Sequence, residues 1–97
     1  MNPQEALHEL SQAAEALAQA QIERNRAKEA LELARATALL SGALSGKNAE
    51  EREAQARTTL AQEYERLNRA EENLILARAR AEIARAALEV GLRKEQI

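Results

Sequence analysis

Ser41-Gly42-Ala43-Leu44-Ser45-Gly46-Lys47-Asn48-Ala49-Glu50-Glu51 decides the fold. It holds two of the three glycines in the chain, and it is the only glycine-bearing break in the interior. Gly42 or Gly46 can take the left-handed conformation that closes a helix. Asn48 then serves as an N-cap. Glu51, three residues later, completes something close to a capping box, with Asn in place of Ser or Thr. One helix ends here and another begins.

On either side the sequence is helical. Ala, Leu, Glu, Arg and Gln dominate, and all are good helix formers. Upstream, Pro3 suits a first helical turn, where its missing N–H is not needed, and Asn2 can cap it. Glu5, Glu9, Glu15 and Glu23 occupy residues 1–23 without a Lys or Arg, which suits the positive end of a helix dipole. The boundaries predicted are a helix over 3–41, a turn over 42–48 and a helix over 49–95, weakened near its end by Gly91.

Both helices carry a seven-residue repeat. In the first, Ala6, Ala13, Ala20, Ala27 and Ala34 form one column, and Leu10, Leu17, Arg24, Leu31 and Ala38 form the other. In the second, Ala49, Ala56, Glu63, Ala70, Ala77 and Ala84 face a column of Leu60, Leu67, Leu74, Ala81 and Leu88. Such a pattern reads as an all-α chain, an antiparallel two-helix coiled-coil hairpin with an Ala/Leu seam. Arg24 and Glu63 are the charged interruptions within the paired stretch. Opposing them sets a register in which Leu31 meets Ala56, Ala27 meets Leu60, Ala13 meets Leu74 and Leu10 meets Ala77, one large residue against one small. A slip of seven residues would leave both charges unpaired in an apolar seam. The chosen register also pairs Glu9 with Arg80 and Glu23 with Arg66 on the flanks, and places Lys28 near Arg57.

Apolar surface is left over. Leu76, Ala79, Ile83, Ala86, Val90 and Ile97 form a second stripe on the second helix, off the seam. Residues 86–97, with Leu88 and Leu92, extend beyond the expected end of the first helix. Near the turn, Leu33, Ala36, Leu39, Leu40 and Leu44 form a smaller patch. A two-helix seam is a thin core, so these surfaces are expected to make a homodimer, closing a four-helix bundle, or to bind another protein.

Several function classes are excluded or demoted. The chain has 97 residues, so one domain is expected. It has no Cys, and so no thiolate metal site. No apolar run spans a bilayer, and the N-terminus lacks the basic and apolar regions of a signal peptide, so a cytoplasmic location with no membrane partner is expected. Glu5-x-x-His8 resembles half of a di-iron motif, but it faces away from the seam and His8 is the sole His, so it reads as a solvated helix face. Gly42 to Lys47 has the wrong glycine spacing for a phosphate loop and no preceding strand. Tyr64 flanks the seam. No nucleophile–base pair can be assembled, so no enzyme, cofactor, metal or small-molecule ligand is expected. The net charge of −2, with arginines interleaved among glutamates, disfavours nucleic acid.

Two resemblances add to this. The architecture resembles the plasmid copy-number regulator Rop, a dimer of Ala/Leu hairpins that binds RNA; this implies, as an alternative, a nucleic-acid adaptor. Gly46-Lys47-Asn48-Ala49-Glu50-Glu51-Arg52-Glu53-Ala54-Gln55 resembles a segment of small helical proteins from bacteriophage and prophage genomes. That resemblance implies a non-enzymatic protein that occupies a surface on host machinery, including as an inhibitor of a defence complex such as CRISPR. A structural or assembly hairpin is the remaining alternative.

Overall fold

The computed structural model describes residues 2–95. Its described part is all-helical, in the order α1 (Pro3–Leu40), α2 (Ala49–Thr59) and α3 (Ala61–Glu95). No described helix is long and apolar enough to cross a membrane.

The starts of α1 and α2 each have a side-chain cap. The Glu5 N–H donates to Oδ1 of Asn2 at 2.8 Å, and the Glu51 N–H donates to Oδ1 of Asn48 at 2.8 Å. The Glu51 carboxylate reaches back one residue further than a standard capping box, accepting from the Lys47 N–H at 2.8 Å. Of the two candidate glycines, Gly42 closes α1, with φ +82°. The Ala43 N–H bonds to the Ala38 carbonyl at 2.9 Å and the Gly42 N–H to the Leu39 carbonyl at 3.3 Å, which is a Schellman ending. Gly46 has another task. A Cβ there would lie 2.7 Å from Cβ of Glu51 and 2.8 Å from the Arg52 nitrogen, so the loop lies against the first turn of α2.

The second helix is not continuous. It breaks at Leu60, whose φ is −110° and ψ is 33°. Thr58 and Thr59 precede the break, the one adjacent pair of β-branched residues in the chain. The Thr58 hydroxyl donates to the Ala54 carbonyl at 3.3 Å, a back-bond that bends helices. The Leu60 N–H still reaches the Ala56 carbonyl at 2.8 Å, and the Tyr64 N–H reaches the Leu60 carbonyl at 3.0 Å.

The chain forms two compact units. One is built from Glu23–Ala70. Its core is Leu31, Ala38, Leu44, Ala56 and Leu60, with Ala34, Tyr64 and Leu67 packed on it. The other joins residues up to Ile22 with those from Glu71 onward. Its core is Ala13, Ala81 and Ala84, flanked by half-buried Leu10 and Leu17. Ala against Ala brings backbones close, and the leucines cover the contact from the sides.

Every described residue in the heptad columns is buried or half-buried except Ala49, which is exposed. Ala13 shares its core with Ala81 and Ala84. Arg24 and Glu63 are half-buried and reach solvent. No ion pair joins them among the described residues. Arg24 instead donates from Nε to Oδ1 of Asn25 at 3.1 Å.

Candidate interaction surface

The columns turned inward leave a second face of α3 outward, because residues spaced three and four apart recur on one side of a helix. Leu76 is 68% exposed, Ile83 70% and Val90 49%. Ala79 and Ala86 lie exposed between them. Leu76, Ala79, Ile83 and Ala87 border a shallow groove whose polar rim is Glu9 and Arg80. A neighbouring depression continues past Val90 to Gly91 and Lys94. A Cβ at Gly91 would meet nothing within 4 Å, so this glycine leaves the depression open rather than allowing a close approach.

Other expected surface residues divide. Leu92 is exposed, Leu88 is half-buried and therefore does not stand free, and Ile97 lies outside the described residues. In the other unit, Leu33, Ala36, Leu39 and Leu40 are exposed, Leu40 to 89%. Leu44, expected in the same patch, is buried in the core instead, because the loop folds back over α1 and α2. Exposed Ile75 and Leu7 were not expected as surface features. Ile75 immediately precedes Leu76, and the apolar run Leu74-Ile75-Leu76-Ala77, too wide for a seam column alone, was the available signal.

The rims are set by ion pairs. Nε of Arg80 donates to Glu9 at 2.8 Å and Nε of Arg66 to Glu23 at 2.9 Å, the two flanking pairs expected from the repeat. The guanidinium hydrogen bond in each holds the carboxyl below the ordinary carboxylate range. A third group was not anticipated. Nη1 of Arg35 on α1 donates to Glu53 on α2 at 2.8 Å and also to the Tyr64 hydroxyl on α3. The Tyr64 hydroxyl donates to Glu53 at 3.2 Å. The Arg57 guanidinium lies 4.9 Å from the Tyr64 ring centre and 3.5 Å from Glu53. Arg57 thus lies with Glu53 and Tyr64. Arg35, and then Tyr64, lower the Glu53 carboxyl. The sequence held a clue: Glu53 stands seven residues before Leu60, in the same column.

No group of three or more His, Cys, Asp or Glu side chains converges on a metal-sized site among the described residues. His8 is exposed. Among the described residues, fold and surface define three helices with an outward apolar row on the last. No family model, curated protein or solved structure matches the chain.

Proposed function

We propose that this chain is a non-catalytic binding module, an antiparallel coiled-coil hairpin that pairs with a second copy and occupies a surface on a protein partner. The observation that carries the reading is the row Leu76, Ile83 and Val90. Three large apolar side chains stand about half or more exposed at seven-residue spacing, with alanines between them. Rows of this kind on a soluble surface mark interaction sites, and the alternation of large and small repeats the pattern of the inner columns. The row on α1, Leu33, Ala36 and Leu40, has the same alternation. Large against small across the two rows gives a four-helix bundle from two chains.

The partner class rests on the turn segment's likeness to small phage and prophage proteins. It makes host machinery in the bacterial cytoplasm, with a defence complex as one case, the surface to be occupied. Sedimentation of wild type and Ile83→Glu tests the assembly. A wild-type dimer at micromolar concentration that becomes a monomer in the variant is expected, because a carboxylate buried in the row lacks a partner. A wild-type monomer would overturn the homodimer and leave the row to a different protein. Loss of a captured, stoichiometric protein in Ile83→Glu would then separate that case from an idle surface.

A further inference from the structure

We infer that α2 opens as a flap, hinged at Leu60 and latched by the Glu53 carboxylate, without unfolding of the unit formed by residues up to 22 and from 71. Four observations lead there. First, α2 has 11 residues, fewer than the roughly 12–15 an isolated helix needs to persist in water. Second, it buries a single residue, Ala56, whereas the α1 segment of the same unit buries Ala27, Leu31 and Ala38. Third, apart from Ala56, the contacts that tie it to α1 and α3 are polar and converge on one side chain. Glu53 takes Arg35 from α1 and Tyr64 from α3, and Arg57 of α2 itself lies beside it. Further ties run from Gln55 and Arg52 to the Gly46 backbone and from Glu51 to the Lys47 N–H, in the loop that would move with the flap. Fourth, α2 is bounded by hinges: the break at Leu60 and the loop after Gly42.

Half-exposed polar contacts hold weakly and are screened by salt, whereas buried apolar area is not. The element held mainly by the former opens first. Every group facing Glu53 is a cation or a hydroxyl donor, so loss of its charge loosens all of them together. Opening uncovers Leu31 and Ala38, which α2 and the loop cover when shut.

Amide hydrogen exchange on the full chain at neutral pH tests this, with wild type, Glu53→Gln and Tyr64→Phe. In wild type, amides of residues 52–60 exchange faster than those of residues 74–88. Glu53→Gln speeds the 52–60 amides by roughly three- to tenfold and leaves 74–88 unchanged. Tyr64→Phe acts in the same direction without altering α2, and carries the test if Glu53→Gln fails to fold. One common rate for both segments in wild type overturns the flap. So does a variant effect that spreads equally to 74–88, or no effect of either variant on 52–60.

Discussion

At Gly46 the constraint is space rather than dihedral angle. Cβ of Glu51 and the backbone of Arg52 occupy what would be the side-chain position. Backbone cannot yield as the end of a flexible side chain can, so Gly46→Ala should cost about 1–3 kcal/mol in urea unfolding. Gly42 differs: nothing crowds its missing Cβ, and only its positive φ demands glycine. The sequence offers both glycines as helix closers and does not say which one acts. The choice depends on where the loop lands, a tertiary matter. Arg24 and Glu63 teach the same lesson at the charged positions. Their columns were legible, but their pairing was not. A long side chain in a half-buried column has solvent as an alternative partner.

At the scale of the element, heptad spacing identifies the inward face. Ala6, Ala13, Ala27, Leu31 and Ala38 of α1 are buried, as are Ala56, Ala70, Leu74, Ala81 and Ala84 beyond the turn. Ala13 and Ala56 are fully buried, so their columns have no room for a larger residue. Ala13→Leu should therefore destabilise the chain by about 1–3 kcal/mol, although Leu is more apolar and itself a good helix former. A thermal melt no lower than wild type would show that the helices simply move apart. Periodicity does not reveal the break at Leu60, because the seven-residue repeat continues through it. The clue lies in Thr58-Thr59, whose hydroxyls and branched carbons compete with the helix.

For the whole molecule, three carboxylates link folding to pH. Glu9, Glu23 and Glu53 are each held below the ordinary carboxylate range by an arginine hydrogen bond. A carboxyl with a lowered folded-state pKa binds protons more readily unfolded. Its stabilisation is complete above the ordinary value of about 4.3 and is lost as pH falls through the lower folded value. The melting temperature should hold steady from pH 7 to about pH 5 and fall below about pH 4, less steeply in the Glu9→Gln, Glu23→Gln, Glu53→Gln triple variant. Circular dichroism melts across that range check it, and an equal fall in the triple variant would remove these pairs as the cause. Composition and spacing alone were enough for helicity, the turn, both main caps and the buried columns, because these depend on neighbours within a turn or two. The closing of Leu44 into a core and the Arg35–Glu53–Tyr64 group required the folded chain. They join residues from separate helices, and sequence spacing carries no measure of the distance between them.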